Sequence, residues 1–105
     1  MLRMINPFDL MKKAGDIKNI FENLHLEQIS ESGEAGGGLV KVVLNGRLEI
    51  INMEIDPIAV DKRDIKMLQD LIMSAHNAAS KKIIESIKAK LSTELGGLNL
   101  SGLNL

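Results

Sequence analysis

The sequence predicts an α+β fold in the order α-β-β-β-α, with a three-stranded antiparallel sheet between a first helix and a long last one. Three observations predict it. An apolar stripe of helical period runs through the first quarter, β-branched segments flank Asn45-Gly46 in the middle, and a second helical stripe of about 33 residues runs from Asp61 and Asp64 up to Gly96-Gly97. At 105 residues the chain has room for one modest core, so a single domain is expected over 1–95.

Asn6, Pro7 and Asp9 supply an N-cap, a first-turn proline and an early acidic residue, which together start a helix. Leu10, Ala14, Ile17, Phe21 and Leu24 then recur at steps of four and three, so the helix covers about residues 7–24 and carries one packing seam. Periodicity weakens from Leu26 to Ser32. That segment predicts a short edge strand, followed by a glycine-rich turn over residues 33–38. Leu39–Leu44 and Arg47–Ile55 are the central strands, and Asn45-Gly46 between them suits both left-handed positions of a two-residue type I′ turn. With that turn Leu44 lies opposite Arg47, Val42 opposite Glu49 and Val40 opposite Ile51, leaving both sheet faces half apolar. A sheet with one solvated face alternates cleanly. One face is therefore expected to be covered by helices, and the other, or its edge, by a second chain.

Asp61 and Asp64 form a start resembling a capping box for the last helix, whose apolar face is Leu68, Ile72, Ala75, Ala79, Ile83, Ile87 and Leu91. Gly96-Gly97 ends it. A helix of roughly 50 Å is far longer than a compact chain of this size, whose radius of gyration is about 13 Å. It must project or be supported by another copy, which predicts a homodimer. The last ten residues repeat Gly-Leu-Asn-Leu without charge and form a flexible tail, 96–105.

Composition excludes several functions. There is no cysteine, hence no disulfide, thiolate metal site or cysteine nucleophile. No apolar run is long enough to span a membrane, and Met1–Leu10 lacks a signal-peptide core, so a cytoplasmic location without membrane contact is expected. Gly36-Gly37-Gly38 leads into a strand and lacks the Gly-Lys-Ser/Thr of a phosphate loop. His25 and His76 have no partner at ligand spacing, and no catalytic constellation stands out among the surface acids. The expectation is no enzyme, no metal, no cofactor and no small-molecule substrate. Phe8 and Phe21 suit core or interface packing better than base stacking.

The net charge of -1 hides a segregation. Residues 1–18 sum to +2 and residues 61–93 to +3, while residues 19–60 sum to -5. Lys12, Lys13, Lys81, Lys82, Lys88 and Lys90 are thus candidates for binding nucleic-acid phosphates. A solvated helix face is the usual explanation for such lysines, so charge and periodicity leave the function open.

The segment Gly36-Gly-Gly-Leu-Val-Lys-Val-Val-Leu-Asn-Gly46, continued through Ile55-Asp-Pro57, resembles the central signature of the YbaB/EbfC family. Leu10-Met-Lys-Lys-Ala14 is similar to the family's first helix, and Met67-Leu-Gln-Asp-Leu-Ile72 and Ala75-His-Asn-Ala-Ala79 to its second. The resemblance implies a tweezer-like homodimer that binds double-stranded DNA in the bacterial nucleoid, with neither catalysis nor cofactor. Carried onto this chain, the DNA-binding positions are Lys12 and Lys13 in the first helix and Lys81 and Lys82 in the last, with Lys18, Lys88 and Lys90 continuing those faces. The chain departs from many relatives in a less charged first helix and in Met1-Leu2-Arg3 ahead of Met4. A dimeric module that binds another protein through its helices is the alternative reading.

Overall fold

The computed structural model describes residues 6–95, in the order α1 (Pro7–Asn23), β1 (Ser30–Ala35), β2 (Val40–Asn45), β3 (Ile50–Ile55) and α2 (Ile65–Leu95), with short 3-10 turns at Leu26–Gln28 and Pro57–Ala59. The expected α-β-β-β-α order is thus observed, and the strands form an antiparallel meander in the order β1-β2-β3. The tail expected over 96–105 and the glycines expected to end the last helix lie outside the described residues.

α1 begins as its sequence dictates, with the Asn6 side chain accepting a hydrogen bond from the Phe8 amide at 3.0 Å and Pro7 in the first turn. It stops at Leu24, and His25 turns the chain through the left-handed region at φ 49. The apolar seam does not pack within the protomer. No residue of α1 is buried, Phe21 is 45% exposed and Leu10 56%, and only the capping residue Leu24 reaches the interior. α1 is therefore an arm attached at one end.

The core lies between α2 and the first two strands. Val40, Val42 and Leu44 face Ala75, Ala79 and Ile83 with all six fully buried, and Leu68, Ile72 and Ile87 complete the seam. At about 25 cal/mol per Å² of apolar surface, each buried Val, Leu or Ile side chain contributes roughly 1.5–3 kcal/mol. The alanines bring α2 close enough to touch strand backbone. A Cβ at Gly33 would run into the Ala75 carbonyl oxygen and the Ala79 amide nitrogen. This corrects one expectation: Gly33 belongs to β1, not to the following turn, which spans Gly36–Leu39 with Gly36, Gly37 and Gly38 all at positive φ. The edge strand correspondingly starts four residues later than expected, after the 3-10 turn at Leu26–Gln28.

The central hairpin forms where expected but with a different turn and register. The Asn45 carbonyl accepts from the Leu48 amide at 2.9 Å, the Asn45 amide donates to the Glu49 carbonyl at 3.0 Å, and Leu48 takes φ 64. This is the three-residue loop with a left-handed bulge residue, not the two-residue type I′ turn. The Asn45 side chain organises it by accepting from the Arg47 and Glu49 amides and donating to the Glu49 carboxylate. Gly46 is needed for another reason: its amide donates to the carbonyls of Leu26 and Ile29, and a Cβ there would lie 2.5 Å from the Leu26 carbonyl oxygen. The longer loop places Val40 opposite Ile55, Val42 opposite Met53 and, across a bulge, Leu44 opposite Ile50.

α2 crosses over β1 and β2 and leaves β3 bare, all six of its residues exposed. The helix starts one cap later than expected: the Asp64 side chain accepts from the Met67 amide at 3.0 Å, while Asp61 folds back onto the Arg63 amide and guanidinium. Its 31 residues span about 46 Å at 1.5 Å each. The radius of gyration is 19.6 Å, against about 13 Å for a compact chain of about 100 residues.

Candidate nucleic-acid interface

Local charge pairing divides the cations into two groups. Arg63 sits 3.0 Å from Asp61, Lys66 3.0 Å from Asp70, Arg47 3.8 Å from Glu27 and Lys18 4.0 Å from Glu22. The Arg63 side chain and its amide hold the Asp61 carboxyl below its usual range, and Asp61 in turn raises Arg63. Lys41 on β2 lies in register between Glu34 of β1 and Glu54 of β3. The central sheet and the N-terminal end of α2 are thus electrostatically occupied.

Lys81, Lys82 and Lys88 differ. All three are exposed on the C-terminal half of α2, and among the described residues none has an acidic partner within ion-pair distance. Successive residues of a helix turn by about 100°, so these lysines do not share one face. Lys81 and Lys88, seven residues apart, point away from the sheet on the side opposite the buried Ala75, Ala79 and Ile83. They stand about 10 Å apart along the axis. Lys82 lies instead on the flank toward β1, the side on which Ala78 and Leu71 approach Gly33 and Gly36. The outward grouping is therefore Lys81 with Lys88, where the sequence suggested Lys81 with Lys82.

Lys90 occupies a third position. Its ammonium donates to the Leu24 carbonyl at 3.4 Å, at the junction of the two helices. An open groove of about 510 Å³ surrounds it, lined also by Gln28, Ser30, Ser86 and Thr93. The Ser86 hydroxyl donates to the Glu31 carboxylate at 2.7 Å and the Thr93 hydroxyl to the Ala89 carbonyl at 3.1 Å. A cation at the C-terminal end of α1 also complements the helix dipole there. Lys90 is thus placed to hold the arm.

On α1, Lys12, Lys13 and Lys18 are exposed, but Asp9, Asp16 and Glu22 bring the net charge of Pro7–Asn23 to zero, whereas Lys81, Lys82, Lys88 and Lys90 of α2 stand against Glu85 and Glu94 alone. The structure thus brings Lys81 and Lys88 onto one face of α2 and leaves the other named lysines on separate surfaces. Helix rotation was available in the sequence and would have separated Lys81 from Lys82.

Apolar exposure marks a second surface. Ile51, Met53 and Ile55 continue the sheet face that α2 covers elsewhere, and Met73 and Ile84 of α2 lie on the adjoining flank. Among the described residues no group of three or more His, Cys, Asp or Glu side chains is placed to hold a metal ion, and no helix is long and apolar enough to cross a membrane.

Known proteins share both sequence and fold with this chain. Residues 4–98 match the model of the YbaB/EbfC DNA-binding family. A nucleoid-associated protein of Syntrophobacter fumaroxidans is 40% identical over 106 residues, covering 100% of this chain and 94% of the relative. One from Thermoanaerobacter sp. (strain X514) is 37% identical over 100 residues, covering 93% of this chain and 90% of the relative. The crystal structure of an uncharacterized protein from Helicobacter pylori superposes with a TM-score of 0.61 at 28% identity, over 72% of this chain and 90% of that one.

Proposed function

Since the chain belongs to the YbaB/EbfC DNA-binding family, we propose that it acts as a homodimer which binds double-stranded DNA mainly through phosphate contacts, as a nucleoid-associated protein of the bacterial cytoplasm with a role in nucleoid organisation or gene regulation. The observation that carries this reading is the set of unpaired lysines on the C-terminal half of α2, set against a sheet whose charges are mutually balanced or acidic. Phosphate attraction needs locally clustered positive charge, because a dimer of slightly negative net charge steers DNA poorly over long range. Lys81 and Lys88 form the centre of the surface, with Lys82, Lys12, Lys13 and Lys18 at its margins and Lys90 at the root of the arm.

Dimerisation is supported by what one protomer leaves bare. β3 is an apolar edge strand with Ile51, Met53 and Ile55 uncovered, and the seam of α1 faces solvent along its length. A long apolar edge invites pairing, whereas the opposite edge, β1, carries Glu31 and Glu34. A second copy covers β3 and the α1 seam by an isologous contact. The same apolar surface favours the alternative reading, a module that binds another protein.

Gel retardation of a random-sequence duplex by the full chain, at several salt concentrations, separates the two. The DNA reading requires dissociation constants of about 10⁻⁴ to 10⁻⁶ M near physiological salt, with affinity falling linearly in log-log form as salt rises. Absence of retardation at low salt, together with a defined protein partner, supports the alternative.

A further inference from the structure

We propose that Asn77 is the base-reading residue of this surface: α2 presents its outward stripe to the major groove, and the Asn77 carboxamide pairs with an adenine edge. The inference rests on duplex binding by α2 and adds sequence discrimination to it. Asn77 is exposed and lies on the same outward stripe as Lys81 and Lys88. It precedes Lys81 by about 6 Å along the axis, close enough for one groove to hold both.

Among the described residues the carboxamide has no hydrogen-bond partner. α2 side chains make hydrogen bonds from Lys66, Ser86, Lys90 and Thr93, none of which involves Asn77. Asn6 and Asn45, by contrast, are used to cap a helix and to build a turn. An asparagine side chain offers one donor and one acceptor side by side, which matches the N6 and N7 of adenine in the major groove. Charge distinguishes Asn77 from Asn19, its counterpart on α1. Asn19 has Asp16 and Glu22 one turn to either side, whereas no acid lies within a turn of Asn77, the nearest being Asp70 and Glu85. Ser74, one turn before it, is small, while Met73 on the same turn is large and exposed beside it.

The test is selection from a random-sequence duplex pool, with the wild-type chain and Asn77→Ala in parallel, followed by affinity measurement on the enriched duplex and on a copy carrying 7-deaza-adenine at the enriched adenine. The wild type is expected to enrich one adenine position and to lose roughly 5- to 150-fold in affinity when it is mismatched. Asn77→Ala should keep the salt dependence of binding to unselected DNA, lose the enrichment, and be indifferent to 7-deaza-adenine. Circular dichroism should be unchanged, because the site is exposed and alanine favours helix. Enrichment of the same sequence by Asn77→Ala, or retardation by the wild type with no enrichment at all, overturns the inference while leaving duplex binding in place. A wild type that fails to retard any duplex at low salt overturns both.

Discussion

Replacing Gly33 by alanine tests the close seating of α2 on the sheet. The added methyl would meet the Ala75 carbonyl oxygen and the Ala79 amide nitrogen, with the Ala78 Cβ at 2.8 Å. Two of these partners are helix backbone and cannot rotate aside. Ordinary contact needs about 3.5–4.0 Å, so α2 must lift by roughly 1 Å, and a gap of that size forfeits a quarter to a half of each dispersion well it opens. The loss falls on Val40, Val42, Leu44 and Ile83, all fully buried. Overpacking of a filled core costs about 1–3 kcal/mol, and here the upper end applies. The smaller entropy of the unfolded alanine chain returns about 0.4–1 kcal/mol, leaving a net destabilisation of roughly 2 kcal/mol. With a urea dependence of about 1.5 kcal/mol per molar, the midpoint should fall by roughly 1.3 M. Both proteins are to be compared at equal protomer concentration, since association shifts apparent stability. Gly15→Ala, at an exposed helix position with nothing within 4 Å, is the control and should raise stability by up to about 1 kcal/mol. A Gly33→Ala midpoint at or above the wild-type value would refute the close approach.

Leu48→Gly should stabilise the protein by roughly 1 kcal/mol in thermal or urea unfolding, because leucine at φ 64 is strained and glycine is not. Asn45→Ala should destabilise by about 2 kcal/mol, since it removes the acceptor of two turn amides at a nearly buried site. Lys81→Ala with Lys88→Ala should flatten the log affinity against log salt slope by roughly 1.8, at about 0.9 per lost phosphate contact, with the sedimentation behaviour of the wild type retained; a wild-type slope would remove both lysines from the surface. Asp61 titrates below its ordinary value because Arg63 stabilises its charged form, so its contribution is present above the unfolded pKa of 3.8 and is lost as pH falls through the folded one. Arg63→Ala should move the Asp61 carboxyl titration upward by NMR, and an unmoved titration would rule out the pair.

Periodic patterns proved legible because they depend on the chain alone. The helices α1 and α2, the buried seam of α2, the capping by Asn6 and the hairpin about Asn45-Gly46 could all be read from spacing. Features set by distant partners were not. Gly46 suggested a left-handed turn, but its role comes from the backbone of Leu26, some twenty residues earlier, and the left-handed residue is Leu48. Gly33 resembled turn chemistry because glycine disfavours strands, while the cause of its presence lies on α2 in Ala75 and Ala79. The strand register followed from the turn type and shifted with it. Among the lysines, the resemblance named Lys81 and Lys82 together, and helix rotation places Lys81 on one face with Lys88. The role of Lys90 depends on where the end of α1 comes to rest, which no local pattern encodes.

The single attachment of α1 gives the molecule a mechanical property. A rod of 17 residues is about 25 Å long, so a rotation of about 10° at its root sweeps the tip through about 4 Å. The root consists of buried Leu24, the left-handed joint at His25 and the bond from Lys90 to the Leu24 carbonyl. These few atoms act as a fulcrum. Small changes of angle there are amplified into the position of the arm's far end, and in the proposed dimer the gap between the two arms would change by twice that amount.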